Sequence, residues 1–397
     1  MKKLGVIFGG FTCEHDVSIV TALQLIENID KSKYEVYPIY IHSDGEWYVD
    51  NKLLDTKIYK DFDANKDKIN KGYIAPNKPG IVMNSKSLFS KENFIKLDVV
   101  IPAMHGMNGE DGSVQGLLEL ANIPYTSSGI LGASVGMDKI LMKKVFEAHG
   151  LPVLPYTYFL RGEWEKNRND VISKIENSLE YPLFVKPSNL GSSIGINKAK
   201  TREELEYAID VATSFDERVI VEKGLEDLKE VNCSALGRAD DVIASTIEQP
   251  ISWKEFLTFD EKYMSGGKNS KMPASKNGDN GMASMSRKVP AEITKEQSGE
   301  VKDLAIKSFK ALNSKGVSRI DFLIDNQDGK VYINEINTIP GSFAFYLWEY
   351  DKIKYSELID RLVQIAEKEN TEKNKNNYTY KSDIVGNFGK GAKGAKS

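Results

Sequence analysis

Four polar side chains on one predicted hairpin could converge to hold a metal ion. They are Arg319, Asp321, Glu335 and Asn337. Strand-like runs at 319–324 and 331–336 flank an Asn-Gln-Asp-Gly turn, and side chains two positions apart on a strand share a face. A small set of oxygen ligands suits Mg²⁺, which takes the rest of its shell from water and nucleotide phosphates. A surface hairpin with an ordinary salt bridge is an equally good interpretation at this point.

A turn rich in glycine and serine could bind phosphate. The segment Phe184-Val-Lys-Pro-Ser-Asn-Leu-Gly-Ser-Ser-Ile-Gly195 predicts a strand carrying Lys186, then a turn that offers N–H groups and hydroxyls to phosphate oxygens. It is not a Walker A loop, because G-x-x-x-x-G-K-[ST] does not occur in the sequence. A plain flexible turn is the alternative. The strand-like run Val219-Ile-Val-Glu-Lys223, charged at its end, could contact a purine, but is weak on its own.

Two further segments place acidic residues at the start of predicted helices. Glu110 and Asp111 precede a helical run from Val114 to Leu120, and Glu14 and Asp16 stand at the start of another helix. Acids in these positions are favoured by the helix dipole, so they could simply cap the helices. A role in binding is the alternative.

The elements that must position these residues fall into separate units. Near the N-terminus, strand-like runs alternate with a helical pattern from Asp16 to Ile29, which is typical of an α/β layer with a parallel sheet. A second, α+β unit starts near Ser127 and contains a predicted helix from Met137 to His149. A third contains a polar loop from Trp253 to Gly281 and a helix from Lys295 to Leu312.

These patterns predict boundaries along the chain. We expect units at residues 1–126, 127–222 and 223–366, followed by a disordered, lysine-rich tail at 367–397. Residues 43–97 are rich in Lys, Asp and Asn, and there we expect loops and short strands without assigning them a role.

Length and composition fit a multi-substrate enzyme with a cleft between its units. At 397 residues, with 41% apolar and 28% charged residues, the chain is long enough for two or three globular units. A net charge of −4 and a pI near 5.8 give no positive field for nucleic acid or anionic lipid. No stretch approaches the roughly 18 apolar residues of a membrane helix. Cys13 and Cys233 form no disulfide framework, which favours the cytoplasm.

Together these segments resemble one family, the D-alanine:D-alanine ligases of the ATP-grasp superfamily. The matching strings, in the family's order over about residues 4–348, are Gly9-Gly10 with Glu14-His-Asp-Val-Ser18, His105-Gly-x-x-Gly-Glu-Asp-Gly112 with Gln115-Gly-Leu-Leu-Glu119, Ile123-Pro-Tyr-Thr126, Met137-Asp-Lys139, Val185-Lys-Pro187 with Gly191-Ser-Ser-x-Gly195, Lys262-Tyr263, Arg319-Ile-Asp321 and Asn334-Glu-Ile-Asn-Thr-Ile-Pro-Gly341. The resemblance implies an ATP-grasp fold of mixed α/β and α+β class. A Rossmann-like α/β domain would come first, and ATP would lie between the central and C-terminal α+β domains.

The resemblance also implies a set of nucleotide and metal ligands. The phosphates would be held by Lys139, Lys186 and Ser193, adenine and ribose by Glu222, Lys223, Leu225 and Glu230, and two Mg²⁺ ions by Asp321, Glu335 and Asn337. Mn²⁺ could replace Mg²⁺. Metals and lysines are expected because a carboxylate that attacks the γ-phosphate is an anion approaching an anion.

A second implied set binds the amino acids and performs the chemistry. The implied catalytic residues are Glu14, Ser192, Tyr263, Arg319 and Gly341, and the implied substrate-binding residues are His105, Lys262, Tyr346 and Leu347. Glu14 would receive the ammonium of the first D-alanine and connect through Ser192 to Tyr263, on a loop that closes as a lid. The Arg319 side chain and the Gly341 N–H would stabilise the oxyanion.

By resemblance, the chain would be a cytoplasmic homodimer that makes D-alanyl-D-alanine for peptidoglycan through a D-alanyl phosphate. The acceptor site departs from the family pattern, since Tyr346-Leu347 stands where many relatives have Ser-Leu, and residues 256–259 contain less Tyr than usual. A D-alanine:D-serine ligase of the vancomycin-resistance type is therefore the first alternative, and a D-alanine:D-lactate ligase is the second. A non-catalytic nucleotide-binding regulator would be expected to lack metal ligands. An ATP-grasp enzyme for another substrate would lack the His105 and Lys262-Tyr263 strings.

Overall fold

The N-terminal unit is built on a largely parallel sheet. The computed structural model describes residues 1–83, 93–251, 287–377, 379 and 382. Its first elements are β1 Lys2–Gly9, α1 His15–Asn28, β2 Tyr34–Ile41, β3 Trp47–Val49, β4 Gly72–Ile74, β5 Gly80–Met83, β6 Asn93–Lys96 and β7 Val99–Pro102. The main sheet has the order β3-β2-β1-β7, and β1 runs parallel to both β2 and β7. The predicted α/β layer is therefore confirmed.

The polar stretch between β3 and β7 decorates this unit. It begins with two 3₁₀ turns, Asn51–Leu54 and Thr56–Lys60, and continues into a small antiparallel sheet of β4, β5 and β6. Residues 84–92 lie outside the described part of the chain. Where the stretch is described, the expectation of loops and short strands is confirmed.

The central unit places an antiparallel sheet against helices. The elements that follow β7 are α2 Ser113–Leu120, α3 Ile130–Met137, α4 Lys139–Ala148, β8 Tyr156–Leu160, α5 Arg161–Lys166, α6 Arg168–Glu176, β9 Leu183–Pro187, β10 Asn197–Ala199, α7 Arg202–Phe215 and β11 Arg218–Lys223. The sheet order is β10-β9-β11-β8. Lys186 lies opposite Ile220, so Lys186 and Glu222 share one face of the sheet.

The predicted helix from Met137 to His149 starts later than expected. Met137 ends α3, and Asp138 is the N-cap of α4, where its Oδ1 accepts hydrogen bonds from the backbone N–H groups of Ile140 at 3.0 Å and Leu141 at 2.9 Å. An aspartate immediately before an apolar run is a strong helix start signal. The cap fixes Lys139 as the first residue of α4.

The third unit carries the predicted hairpin. Its elements are β12 Leu228–Arg238, β13 Asp241–Ala244, β14 Gln249–Pro250, β15 Arg287–Lys288, α8 Lys295–Ala311, β16 Lys315–Asp325, β17 Val331–Asn337, a 3₁₀ turn at Gly341–Ala344, α9 Phe345–Tyr350 and α10 Tyr355–Lys373. The sheet order is β13-β12-β16-β17, with β16 and β17 antiparallel. The hairpin is confirmed. The polar loop predicted from Trp253 to Gly281 lies outside the described residues.

The C-terminal segment corrects one predicted boundary. The tail was expected to begin at residue 367, but α10 continues to Lys373. Glu367 pairs with Lys2 at 2.6 Å, and Glu369 pairs with Arg238 at 2.9 Å. A composition of Lys, Glu and Asn resembles a solvated tail, but here these charges face partners that are distant in sequence.

The first and last segments of the chain share one apolar core. Phe8 and Leu25 from the N-terminal unit pack in the same buried cluster as Trp348 and Leu362 from the C-terminal helices. Burial of this kind ties the N-terminal unit to the third one. Among the described residues, no helix is both long enough and apolar enough to cross a membrane.

Candidate active site

The hairpin of β16 and β17 carries a compact polar face. Pairing sets Asp321 opposite Glu335 and Arg319 opposite Asn337. The Arg319 guanidinium donates from Nε to Asp321 Oδ1 at 2.7 Å and from Nη2 to Asp321 Oδ2 at 2.8 Å. The Asn337 amide donates to Asp321 Oδ2 at 3.1 Å. The four side chains therefore meet on one face, as their spacing predicts.

Arg319 is a permanent cation in this face. Its side chain is buried, and burial alone would lower its pKa, but the charge of Asp321 outweighs burial and raises the pKa well above the usual value. A buried guanidinium held by a bidentate carboxylate keeps a fixed orientation. It can therefore offer positive charge to a reacting oxygen without reorganising.

The donor set of this face fits a magnesium ion. Asp321 and Glu335 supply carboxylate oxygens and Asn337 supplies an amide oxygen, all hard ligands. Among the described residues, no group of three or more His, Cys, Asp or Glu side chains is arranged to hold a metal by itself. A cation at this face would therefore take part of its shell from water or phosphate, which is how Mg²⁺ binds beside nucleotides.

Two lysines of the central unit reach this hairpin. Lys139 Nζ donates to the backbone oxygen of Leu190 at 2.8 Å and lies 3.3 Å from Glu335 Oε2. Lys186 Nζ donates to Glu222 Oε2 at 2.7 Å and to Asn334 Oδ1 at 3.3 Å. Positive charge from the central unit thus faces the carboxylates of the third unit, and an anion between them would be well placed.

Glu222 sits at the bottom of this charged region. Its side chain is buried, and Lys143 Nζ lies 3.3 Å from its Oε1. Burial alone would raise the pKa of Glu222, but attraction to Lys143 and Lys186 outweighs burial and holds the pKa below its usual value. The carboxylate is therefore ionised.

The Gly-Ser turn closes onto the N-terminal unit. Ser192 and Ser193 both have positive φ, which turns the chain sharply. The Ser192 hydroxyl donates to Glu14, whose carboxylate does not cap α1. Gly106 approaches the same carboxylate so closely, at φ +68°, that a Cβ there would lie 2.3 Å from Glu14 Oε2. The site needs glycine at this position.

A cavity of about 320 Å³ adjoins Glu14. Apolar side chains such as Phe11, Met107 and Met137 line it, and Glu14 is the one charged side chain among the described residues on its wall. A buried carboxylate in an apolar pocket suits the ammonium of a small amino acid, because the ammonium supplies the opposite charge.

His105 and Glu110 hold the backbone N–H and carbonyl groups of one residue in the third unit. His105 Nδ1 lies 2.9 Å from the carbonyl oxygen of Ile339, and Glu110 Oε2 accepts from the Ile339 N–H at 2.9 Å. His105 Nε2 lies 2.8 Å from Thr21 Oγ1. Burial lowers the pKa of His105 to about 4, so its ring is neutral and fits a donating Nδ1–H. Burial, aided by the charge of Glu14, raises the pKa of Glu110 to about 7.

The segment that begins at Gly341 has an unusual backbone. Ser342, Phe343 and Ala344 have consecutive φ values of 51°, 54° and 50°. A left-handed conformation is uncommon for residues other than glycine and marks positions held by their surroundings. The Ser342 hydroxyl donates to Gln24 Oε1 at 2.7 Å on α1. The N-terminal unit therefore shapes the loop that carries Gly341.

The predicted acceptor residues lie on α9 and are buried. Leu347 is fully buried, and the Tyr346 hydroxyl donates to Glu248 Oε1 at 3.2 Å. The Arg287 guanidinium lies 3.9 Å from the Tyr346 ring centroid and donates to Glu248 Oε2 at 2.7 Å. The Tyr346 ring is thus fixed between a cation and a carboxylate. Lys262 and Tyr263 lie outside the described residues.

The remaining predicted nucleotide contacts lie near the end of β11 and the start of β12. Lys223 Nζ donates to Glu180 Oε2 at 3.3 Å, Leu225 is half-buried in the turn, and Glu230 is half-buried on β12 opposite Leu323. All three lie within eight positions of one another, at the link between the central and third units. Their roles remain predictions.

Sequence reasoning passed over several residues that the structure brings into the site. Lys143 follows Lys139 by one helical turn, a spacing that could have placed both on one face. The sequence suggested that Glu110 either caps a helix or takes part in binding. In the structure, Asp111 Oδ1 instead accepts a hydrogen bond from the N–H of Ser113, the first residue of α2, at 2.9 Å. The Glu248 and Arg287 pair gave no local sequence signal.

Two family models match this chain. They are described as "D-ala D-ala ligase N-terminus", over residues 3–128, and "D-ala D-ala ligase C-terminus", over residues 145–364. The sequence is 40% identical to a D-alanine–D-alanine ligase of Bacillus cytotoxicus, with 95% of this chain and 99% of that protein covered.

Solved structures give the same similarity. The D-alanine–D-alanine ligase of Coxiella burnetii superposes with a TM-score of 0.76 at 26% identity, covering 94% of this chain and 96% of that one. The VanG D-Ala:D-Ser ligase of Enterococcus faecalis superposes with a TM-score of 0.75 at 30% identity, covering 92% of this chain and 99% of that one. The predicted ATP-grasp fold is therefore confirmed.

Proposed function

The chain belongs to the D-alanine–D-alanine ligase family, and on that premise we propose that it joins two D-alanines in an ATP-dependent reaction through a D-alanyl phosphate. One observation carries the proposal. Lys139 contacts both Leu190, next to the Gly-Ser turn, and Glu335 on the metal-binding face. This contact joins the phosphate-binding and metal-binding halves of a nucleotide site at one ammonium group.

The nucleotide would lie between the central and third units. Its phosphates would contact Lys139, Lys186 and the turn that contains Ser193. Its adenine and ribose would contact Glu222, Lys223, Leu225 and Glu230. The facing charges of Lys139 and Glu335, 3.3 Å apart, support this arrangement. Phosphate oxygens between them could contact the lysine directly and the carboxylate through a cation.

Asp321, Glu335 and Asn337 would hold two Mg²⁺ ions, or Mn²⁺ in their place. When bound, the ions would neutralise negative charge on the phosphates. This chain's own contribution is to fix the ligands, since Arg319 and Asn337 both donate to the Asp321 carboxylate and hold its plane. Their support of a metal ligand resembles the hydrogen-bonded outer shells common at metal sites.

The first D-alanine would bind in the cavity beside Glu14. Its ammonium would pair with that carboxylate, which Ser192 holds in place, and His105 would lie near the same substrate. Lys262 and Tyr263 lie outside the described residues, and we propose that they contribute to binding the same amino acid. Exclusion of water matters because water would hydrolyse an acyl phosphate.

The reaction would proceed in two balanced steps. A carboxylate oxygen of the first D-alanine attacks the γ-phosphorus, ADP leaves, and an acyl phosphate forms. The amine of the second amino acid then attacks the carbonyl carbon, loses a proton, and expels inorganic phosphate. The attack of the amine makes an oxyanion of the carbonyl oxygen, which Arg319 and the Gly341 N–H would stabilise until phosphate leaves. Loss of one such donor typically lowers the rate by a factor of about 10² to 10³.

D-serine is a second candidate acceptor. The similarity to the D-Ala:D-Ser ligase of Enterococcus faecalis, at 30% identity, supports D-serine as a candidate acceptor. Tyr346, with Glu248 and Arg287 in contact with it, offers polar groups that could meet a serine hydroxyl, and Leu347 would complete the proposed acceptor site. The relatives named D-alanine–D-alanine ligase at up to 40% identity favour D-alanine. We further propose a homodimer in the cytoplasm that serves peptidoglycan synthesis.

Isotope transfer tests the acyl phosphate directly. The full chain would be incubated with ATP, Mg²⁺ and D-alanine labelled with ¹⁸O in its carboxylate. Because a carboxylate oxygen becomes the bridging oxygen and leaves with phosphate, the released phosphate should carry one ¹⁸O atom. Mass spectrometry of the phosphate gives the answer, and unlabelled phosphate from a reaction that yields dipeptide would reject this route.

A further inference from the structure

A buried lysine stands beside the proposed base-binding carboxylate and has no part in the steps above. Lys143 has 0% exposure, and its Nζ lies 3.3 Å from Glu222 Oε1. Among the residues that the structure describes, neither of these two atoms has a partner in hydrogen-bonding geometry. Burial lowers the pKa of Lys143, and the attraction of Glu222 opposes that lowering and favours the charged form. An ammonium at this depth is costly unless it faces an opposite charge, so its placement calls for a reason.

The helix that carries Lys143 also carries a proposed phosphate ligand. Lys139 and Lys143 are one turn apart on α4 and therefore lie on the same face. Lys139 reaches Glu335 across the cleft, whereas Lys143 reaches deeper, to β11. On one face of α4, the Lys139 ammonium therefore points toward the proposed phosphate site, and the Lys143 ammonium points toward the region proposed for the base.

Glu222 is held from both sides. Lys186 Nζ donates to its Oε2 at 2.7 Å, and Lys143 Nζ approaches its Oε1. The attraction of the two lysines keeps the pKa of Glu222 low in spite of the burial that would raise it. Such a carboxylate is ionised, so it can accept hydrogen bonds and cannot donate one.

We propose that Lys143 is a positioning residue for nucleotide selection, which holds Glu222 as an oriented acceptor so that the site takes a 6-amino purine and rejects a 6-oxo purine. The inference rests on the proposed function, in which Glu222 meets the base. A 6-amino group can donate a hydrogen bond to the Glu222 carboxylate. A 6-oxo group is an acceptor, as the carboxylate is, so neither oxygen would have a hydrogen-bond donor. Without Lys143, the buried Glu222 would take up a proton more readily and could then donate to a 6-oxo group.

Calorimetric titration of ADP and of inosine diphosphate, each with Mg²⁺, tests the proposal on the full chain. Lys143→Met keeps a long side chain and removes the charge, and Lys143→Arg keeps the charge. Lys144→Met is the matched control, because Lys144 lies on the same helix but donates to the exposed Tyr158 hydroxyl at 2.7 Å. Lys143→Met should narrow the ratio of ADP to inosine diphosphate affinity about tenfold, the effect of one hydrogen bond to a charged group. Lys143→Arg and Lys144→Met should stay near the wild-type ratio.

Thermal melting of each variant separates selection from folding. If Lys143→Met lowers the melting temperature but leaves the affinity ratio unchanged, Lys143 is only structural and the proposal is overturned. Should that variant melt below the assay temperature, Lys143→Gln takes its place under the same criterion. A wild-type chain that makes dipeptide from ATP yet binds both diphosphates equally would overturn this inference alone. A wild-type chain that binds neither would overturn the proposed function as well.

Discussion

The Glu110 carboxylate accepts a hydrogen bond from the backbone N–H of Ile339 at 2.9 Å, although 229 positions separate the two residues. His105 lies 2.9 Å from the carbonyl oxygen of the same residue. Both polar groups of one residue in the third unit are thus held by side chains from the N-terminal unit. Since Ile339 leads directly into Pro340 and Gly341, this contact sets where the proposed oxyanion donor lies.

Replacement of Glu110 should therefore impair catalysis. Glu110→Ala should lower kcat about 10²-fold, because a donor misplaced by about 1 Å can cost that much. The KM for ATP should change little. Asp111→Ala is the control: it removes the hydrogen bonds that Asp111 accepts from the N–H groups of Asn108 and Ser113, at about 1 kcal/mol of stability each, and should leave kcat near the wild-type value. Steady-state ADP release measures both, and an unchanged kcat in Glu110→Ala would refute the positioning role.

Stability should depend on pH through the same carboxyl. Burial, with a smaller contribution from the charge of Glu14, raises the pKa of Glu110 from 4.5 to about 7. A carboxyl with a higher pKa in the folded protein stabilises the fold fully below about pH 4.5, and that stabilisation is lost as pH rises through about 7. At about 1.4 kcal/mol for each pH unit, the loss is on the order of 3 kcal/mol.

Glu110→Gln removes this titration. The free energy of unfolding of the variant minus that of the wild type should increase steadily as pH rises from 4.5 to about 7. These limits are the pKa values of Glu110 in the unfolded and in the folded chain. Urea denaturation of both proteins at several pH values gives the difference. A difference that stays constant over this interval would contradict the raised pKa.

The hairpin face of Arg319, Asp321, Glu335 and Asn337, which we propose binds Mg²⁺, makes a separate prediction. Glu335→Ala should reduce turnover below about a tenth of the wild-type rate, because the face loses a proposed carboxylate ligand of Mg²⁺. The fold should persist, since the Glu335 side chain is 26% exposed and belongs to no apolar core. Asp328→Ala, at the turn of the same hairpin, is the matched control and should keep full activity. Circular dichroism melting and ADP release check the pair, and turnover near wild type in Glu335→Ala would refute the site.

The end of α10 should contribute to stability rather than to chemistry. A chain that stops after Ala366 loses the Glu367–Lys2 pair, the pairs of Glu369 with Arg238 and Lys315, and the contact from Lys373 to Glu119. Four partly exposed pairs at about 0.5 to 1 kcal/mol each should lower the melting temperature by several degrees. A chain that stops after Asn377 keeps all four and should melt with the full chain. Equal melting of both truncated chains would show that these pairs contribute nothing.

The hairpin shows how far local patterns reach. A two-residue period placed Arg319 and Asp321 on one face, and turn chemistry placed Glu335 opposite, so the polar face follows from sequence alone. The start of α4 was misjudged because apolar residues continue on both sides of Asp138. The N-cap residue, rather than the apolar period, decides where that helix begins.

Contacts between units left weaker traces in the sequence. Glu110 stands before a helix as a capping acid would, and its actual partner, Ile339, donates through a backbone group that no side-chain pattern reveals. The charges of Glu367 and Glu369 resemble those of a solvated tail until the fold brings Lys2 and Arg238 to them. Such pairings depend on how the units pack, which local propensity does not encode.

Turnover with defined substrates tests the central claim most directly. The purified full chain would receive ATP with D-alanine alone, or with D-serine or D-lactate added, and phosphate release and products would be measured with and without EDTA. We predict phosphate release only when D-alanine and Mg²⁺ are both present, with D-alanyl-D-alanine as the main product. Its formation should rise toward about pH 8, as the α-ammonium of the acceptor loses its proton. Equal phosphate release in EDTA, or D-alanyl-D-lactate made faster than either dipeptide at neutral pH, would contradict the account.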